Sequence, residues 1–236
     1  MPQKIAWEKE YCNPLFITLG DKPQGDVLRF LKFFKKQTGC SLTNLHILDL
    51  GCGTGRNSNY LANLGNTVTG IEISPSAIAL AKKRSLNRHT DITYIEGNIG
   101  NKYPFTEQYF DMILDITSSN ALSEKEREIY LAETFRTLKT AGYLFVRALC
   151  KDSDKNAKKL IKQFPGPEKD TYIMPKSNLV ERVFSEQDFR ATYTEFFEII
   201  YLTKKSGYTN FDGQPYKRNY WIAYLKKRLD TKKTFL

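Results

Sequence analysis

The chain has 236 residues, of which 41% are hydrophobic and 26% are charged, and its formal net charge is +10. These values exclude a disordered, collagenous or coiled-coil protein and fit a single domain, over residues 1–236, with a core of its own. No apolar run approaches the ~20 residues of a membrane span, and the N-terminus lacks the apolar stretch of a secretory signal, so a cytoplasmic protein is expected. The four cysteines are widely spaced and only two histidines occur, which argues against a metal site.

Residues 1–25 are predicted to form an irregular arm, because prolines and glycines interrupt them while the aromatic residues Trp7, Tyr11 and Phe16 supply anchors. The arm either packs against the domain or closes as a lid over a bound cofactor. An amphipathic helix is predicted next, over residues 27–36, since its apolar residues recur at helical spacing.

Strands and helices then alternate along the chain. The strands are expected at 46–50, 67–71, 92–96, 110–114 and 142–149, and the helices at 57–64, 74–84 and 123–139. Such alternation predicts parallel strands joined by right-handed crossovers, with helices on both faces of a doubly wound α/β sheet.

The pattern loosens after residue 150. A basic helix over 156–164, an excursion containing proline and glycine over 165–181, and a helix from Ser185 are expected. Strands near 199–202 and 219–225 bring the expected number of strands to seven.

The strand at 46–50 runs into a turn that contains Gly51, Gly53 and Gly55 and then into a helix. Such a turn lets a ligand approach the backbone and the amides of a helix N-terminus. A dinucleotide-binding loop would have its third glycine where this chain has Arg56. Asp49, two residues before the loop, would repel a pyrophosphate and attract an ammonium or sulfonium group. The loop therefore favours a cationic amino-acid cofactor.

A second acidic residue stands where a nucleoside would need it. Glu72 ends the second strand, and a carboxylate there accepts hydrogen bonds from both ribose hydroxyls. The glycine loop and this acid together predict a site for a ribose attached to a cationic group.

These segments resemble those of the class I S-adenosylmethionine (SAM) dependent methyltransferases. Residues 47–56 are similar to their first motif, 72–74 to the acid and helix start after the second strand, and 96–99 to the adenine-binding segment. Residues 110–115 are similar to their fourth strand and 138–143 to the turn before the fifth. The resemblance implies SAM as the cofactor and a mostly parallel seven-stranded sheet whose last strand is antiparallel.

The resemblance also implies a distribution of contacts along the cofactor. The three glycines of the loop lie beneath the methionine part, Glu72 contacts the ribose, and Asn98 and Ile99 lie at the adenine. Asn98 stands where many relatives carry Asp, so it accepts a hydrogen bond without contributing charge. Cys52 is expected as a small packing residue of the loop. The remaining expected cofactor contacts are Tyr11, Asp49, Cys52, Asn57, Ile73 and Asp115.

The acceptor must approach at the carboxyl ends of the strands, where the protein aligns it with the activated methyl group. The loop over 115–120 is rich in polar residues, and Arg147 is a charged residue within an apolar strand. Asp115 either orients the acceptor and takes its proton, or bonds loop amides or the cofactor. Arg147 either pairs with an acid such as Asp115 or binds an anionic acceptor. Both are therefore catalytic candidates.

Residues 26–150 are thus expected to bind SAM, and residues 151–236 to contribute the acceptor pocket. In the latter part, Tyr208, Phe211, Tyr216 and Arg218 either wall that pocket or pack as an aromatic hairpin. The net charge raises RNA (tRNA or rRNA) as an acceptor, but the lysines are dispersed, which favours a small, anionic or polarisable acceptor. A catalytically silent SAM-binding sensor or partner subunit is the third hypothesis, and no membrane partner is expected.

Overall fold

The computed structural model describes residues 2–13, 20–211 and 214–229, and these residues form an α/β sheet covered by helices. The strands are β1 (His46–Leu50), β2 (Thr67–Glu72), β3 (Ile92–Glu96), β4 (Phe110–Ile116), β5 (Leu138–Leu149), β6 (Thr171–Ile173), β7 (Val180–Arg182), β8 (Phe197–Phe211) and β9 (Gln214–Lys227). The helices are α1 (Pro2–Cys12), α2 (Gly25–Thr38), α3 (Arg56–Asn63), α4 (Pro75–Arg88), α5 (Glu124–Thr137), α6 (Lys155–Gln163) and α7 (Glu186–Tyr193), and a 3-10 turn covers Ser119–Ala121.

Seven of these strands form one sheet in the order β3-β2-β1-β4-β5-β9-β8. The first five pair in parallel, and β9 lies antiparallel between β5 and β8. The expected sheet, with its last strand antiparallel, is thereby confirmed. Strands β6 and β7 pair with each other in a separate two-stranded sheet within the 165–181 excursion and its continuation.

Both faces of the sheet are covered. Successive residues of a central strand enter opposite cores: Ile47 packs with α2, α3 and α6, whereas Leu48 packs with α5 and α7. This double burial explains why the central strands read as almost continuous apolar runs. It also leaves the carboxyl ends of the strands as the natural place for a ligand.

The N-terminal arm differs from its prediction, since residues 2–12 are helical. Helix α1 is held by polar tertiary contacts, which its sequence pattern does not predict. The Glu8 carboxylate accepts hydrogen bonds from Ser74 Oγ (2.6 Å) and Ser76 N (3.2 Å) at the start of α4. Phe16 lies outside the described residues.

A further prediction is wrong at the start of β5, and two strands are longer than expected. The turn expected over 138–143 is extended chain, because Leu138 pairs with Phe110 and opens β5 directly after α5. The strands expected near 199–202 and 219–225 are present, but they are parts of the longer β8 and β9, which form one hairpin, so Tyr208, Tyr216 and Arg218 lie on strands. No helix of the described ranges is long and apolar enough to cross a membrane.

Candidate active site

The backbone of the glycine loop adopts a conformation that favours glycine. Gly51, Gly53 and Gly55 have φ angles of 64°, 55° and 74°, in the left-handed region. The amides of Gly51 and Cys52 both donate to the carbonyl of Ile71, at 2.8 and 3.1 Å, and so fix the loop to β2. A Cβ on Gly51 would collide with the side chain of Ser118, from the segment after β4. The loop is therefore closed in on one side by β2 and on the other by the β4 end.

The Glu72 carboxylate is held by the backbone of the same region. Its Oε2 accepts from Gly53 N (3.0 Å), and its Oε1 accepts from Ile73 N (2.8 Å) and Ser74 N (2.9 Å). Glu72 is buried, and burial raises its pKa while the three amide bonds oppose the increase. The carboxylate thus has a fixed orientation at the end of β2, beside the glycine loop.

Asp49 lies beneath the same loop. It is buried and accepts a 2.6 Å hydrogen bond from Ser58 Oγ, and burial raises its pKa to about 6. Asn57 accepts from Gln24 N (3.0 Å) and donates to Gln24 Oε1 (3.2 Å), which ties the start of α3 to the segment before α2.

At the end of β3, the Asn98 amide is oriented by the protein. Its Oδ1 accepts from Gly100 N (2.9 Å), and its Nδ2 donates to Glu126 Oε1 (2.7 Å). Glu126, which also completes the capping box of α5, brings a negative charge to the place where Asn98 supplies none. The spacing of the motif gave no signal for this residue, because it arrives from a distant helix.

Helix α1 crosses this region. A Cβ on Gly53 would lie 2.5 Å from the Tyr11 hydroxyl, so this hydroxyl lies directly above the glycine loop. Lys4 pairs with Glu96 at 2.6 Å, and Gln3 Nε2 donates to the carbonyl of Ala121 at 2.9 Å. Helix α1 is therefore attached to β3 and to the 3-10 turn on opposite sides of the loop.

One cavity of about 340 Å³ joins these groups. Its wall includes the following predicted site residues: Tyr11, Asp49, Gly51, Cys52, Gly53, Asn57, Glu72, Ile73, Asn98, Ile99 and Arg147. Gly55 is not on the wall, and a Cβ there would collide with the Tyr94 hydroxyl, so Gly55 serves the packing behind the loop. The cavity continues past the loop to side chains of β5, β7 and β9.

Comparison with known proteins agrees with this arrangement. A family model described as a methyltransferase domain matches residues 47–142. An uncharacterized methyltransferase of Schizosaccharomyces pombe is 30% identical over 109 residues, which are 45% of this chain and 74% of that protein. The chain belongs to the class I SAM-dependent methyltransferases. Its cofactor is accordingly SAM.

A solved structure shows a similar fold, and a further relative matches a longer stretch of the chain. The structure of a SAM-dependent methyltransferase from Methanosarcina mazei superimposes with a TM-score of 0.73 at 23% identity, over 89% of this chain and all of that one. A demethylmenaquinone methyltransferase of Tropheryma whipplei is 35% identical over 144 residues, which are 61% of this chain and 48% of that protein.

Asp115 of the methyltransferase does not reach the cavity. It is fully buried, and it accepts hydrogen bonds from Ser118 N (3.0 Å), Ser119 N (3.1 Å) and Tyr130 Oη (2.8 Å). A direct catalytic or cofactor contact by Asp115 disagrees with this geometry. Its bonds to the loop amides instead fix the segment after β4, which was the alternative considered.

Arg147 does reach the cavity, but its acidic partner is Asp26 and not Asp115. The Nε of Arg147 lies 3.5 Å from Asp26 Oδ2, and the central carbon of its guanidinium lies over the Tyr220 ring, 3.6 Å from the centroid. Arg56, at the start of α3, is also on the cavity wall. Its pKa is lowered mainly by burial and to a smaller extent by the positive charge of Arg147. Two guanidinium groups thus line this part of the cavity.

The far end of the cavity is mostly apolar and aromatic. It is lined by Leu149, Met174, Leu179, Glu181, Tyr208, Tyr216, Arg218 and Tyr220. Of the predicted aromatic and basic cluster, only the side chain of Phe211 lies outside the described part of the structure. Met174, Leu179 and Glu181 were missed, because the excursion that carries them shows no strand or helix periodicity.

Proposed function

We propose that the protein transfers a methyl group from SAM to a small, polarisable acceptor that carries an anionic group. One observation carries this proposal: the cavity that starts at the glycine loop continues without interruption to a wall of tyrosine and arginine side chains. A recess of this size and lining suits a small molecule.

The cofactor would occupy the loop end of the cavity. Gly51 and Gly53 would lie beneath the methionine part and Glu72 would accept from the ribose, while Asn98 and Ile99 would face the adenine. Asp49 suits the ammonium group, because a cation beside a buried carboxylate favours its ionised form. Cys52, Asn57, Ile73 and Tyr11 would complete the contacts.

The acceptor would lie beyond the methyl group, against Arg147 and Tyr220. Arg56 is beside the glycine loop, so we assign it to the cofactor carboxylate, and we assign Arg147 to the anionic group of the acceptor. The presence of both guanidinium groups on the cavity wall supports these assignments, since a cation there attracts a bound anion. The relative that methylates demethylmenaquinone is an example of a small acceptor in this family.

We also propose that the chain acts as one domain over residues 1–236, with 26–150 binding SAM and 151–236 supplying the acceptor pocket. Residues 1–25 would provide the lid. The contacts of Gln3, Lys4 and Glu8 with three different parts of the cavity rim support this division. A lid that excludes water suits a reaction at an activated methyl group.

The direct test is incubation with methyl-labelled SAM and separate metabolite, RNA and protein fractions of a cell extract. The proposal expects label in the metabolite fraction. Label in the RNA fraction, with salt-dependent binding, would instead support an RNA methyltransferase. Cofactor binding without label in any fraction would support a silent SAM-binding subunit.

A further inference from the structure

The β6–β7 hairpin brings a carboxylate to the acceptor end of the cavity. Four carboxylates line the cavity among the described residues, and two of them, Asp49 and Glu72, belong to the glycine loop. Glu126 is beside the β3 end, and both its oxygens accept hydrogen bonds from protein groups. Glu181 is the remaining one, and it faces the region that Asp115 was expected to serve.

Glu181 is anchored from the protein side through a single oxygen. Its Oε2 accepts from the Tyr172 hydroxyl at 2.7 Å and lies 3.5 Å from Arg218 Nη2. Arg218 Nη2 also donates to the Tyr172 hydroxyl. Tyr172 is fully buried and Arg218 is 4% exposed, so the anchoring pair is rigid.

The other oxygen of Glu181 is uncommitted. No hydrogen bond to Oε1 occurs within the described ranges, and the Glu181 side chain retains 16% of its exposure, on the cavity wall. Arg218 Nε is likewise buried without a hydrogen-bond partner among the described residues. The protein therefore leaves one oxygen of Glu181 on the cavity wall without a donor among the described residues, whereas both oxygens of Glu126 and Glu72 are bonded.

The hairpin also lies where methyl transfer must occur. Gln3 Nε2 donates to the carbonyls of Ala121 (2.9 Å) and Val180 (3.4 Å), so it joins β7 to the 3-10 turn after β4. This turn is at the carboxyl ends of the central strands, the edge at which a ligand meets a doubly wound sheet. Glu181, the next residue along β7, is thus placed beside the transfer region.

We infer that Glu181 is a catalytic residue that binds the hydroxyl or amine hydrogen of the acceptor nucleophile and takes its proton. This inference rests on the proposed function. The nucleophile's lone pair forms the bond to the methyl carbon, and the electrons of the carbon–sulfur bond remain on sulfur, which leaves S-adenosylhomocysteine. The proton moves to Oε1 of Glu181 and later to water. The aromatic and apolar wall fits a flat ring, so the acceptor class is an aromatic hydroxyl or amine compound.

The test compares Glu181→Gln with the parent in label transfer from methyl-labelled SAM to the metabolite fraction. Glutamine keeps an oxygen for Tyr172 but cannot take a proton. Because a general base contributes about 10²–10⁴-fold to rate, transfer should fall by at least about 30-fold while S-adenosylhomocysteine affinity stays within twofold. Glu186→Gln is the matched control: Glu186 pairs with Arg190 on the surface, and its transfer rate should equal the parent's.

The possible outcomes distinguish a failure of the role of Glu181 from a failure of the proposed function. If the parent labels no metabolite, the proposed function fails. If the parent labels a metabolite and Glu181→Gln transfers within threefold of it, the role of Glu181 is refuted. If Glu181→Gln loses cofactor affinity, its transfer rate is measured at saturating SAM, and the same criterion applies there.

Discussion

The cofactor end and the acceptor end of the cavity are lined by different kinds of chemical group. At the cofactor end, backbone amides and carboxylates dominate, and Glu72 alone accepts three amide hydrogen bonds. At the acceptor end, guanidinium and aromatic side chains dominate, and Arg147 lies over the ring of Tyr220. Backbone amides are present whatever the side chain, whereas a side-chain group is lost or altered by a single substitution. The contrast explains how one fold keeps a constant cofactor and admits different acceptors.

The largest effect is expected from Glu72→Ala at the cofactor end. Loss of a carboxylate that accepts from the ribose should weaken binding of S-adenosylhomocysteine by about 2–4 kcal/mol, or roughly 30- to 1000-fold. The three buried amides lose their acceptor as well, so thermal stability should also fall. Calorimetry well below the melting temperature measures the affinity. Glu128→Ala, on the exposed face of α5 and away from the cavity wall, should leave affinity nearly unchanged.

Gly51→Ala tests the backbone contribution. The new Cβ would meet Ser118 at a φ of 64°, so the loop must shift, and we expect affinity to fall by about 10- to 100-fold. Gly39→Ala has a similar φ of 71° but open space around the Cβ. It should lower stability by about 1 kcal/mol without changing affinity. If Gly51→Ala and Gly39→Ala lose the same affinity, the glycine loop does not contact the cofactor.

Arg147→Met probes the acceptor end. Removing this charge should lower kcat/KM for the acceptor by about tenfold, the effect of losing one charge-assisted hydrogen bond, and should leave SAM binding nearly intact. Arg29→Met is the control, because Arg29 also pairs with Asp26 but is not on the cavity wall. If both variants reduce activity equally, Arg147 acts only through Asp26.

Asp49→Asn should produce the smallest effect. It should raise thermal stability, whereas Glu72→Ala and Gly39→Ala lower it. Burial raises the pKa of Asp49 from 3.8 to about 6, so the native state binds more protons in this range and stability falls as pH rises through it. The substitution removes that cost, of order 1–3 kcal/mol, and should raise the Tm by a few degrees at pH 7 but not near pH 3. Affinity for the cofactor should decrease. An unchanged Tm at pH 7 would show that the buried Asp49 carboxylate does not destabilise the native state.

The same contrast explains how far the sequence alone could lead. The glycine loop, Asp49 and Glu72 are predicted from the sequence because their spacing along the chain is local. The alternation of apolar segments likewise predicts the strands of the sheet. Glu126 and Glu181 were not found, since the contacts that bring each segment to the cavity, Asn98 with Glu126 and Gln3 with β7, join parts of the chain that are distant in sequence. Asp115 was misplaced for a related reason: its position after β4 is correct, but its side chain turns toward Tyr130 and the loop amides.

The division of the cavity is tested most directly by measuring S-adenosylhomocysteine affinity and the label-transfer rate at saturating SAM together, in Glu72→Ala and Arg147→Met. We expect Glu72→Ala to lose affinity by at least 30-fold. Arg147→Met should keep its affinity and transfer label more slowly even when SAM is saturating. If Arg147→Met loses cofactor affinity as severely as Glu72→Ala, the two ends are not separate, and Arg147 belongs to the cofactor site.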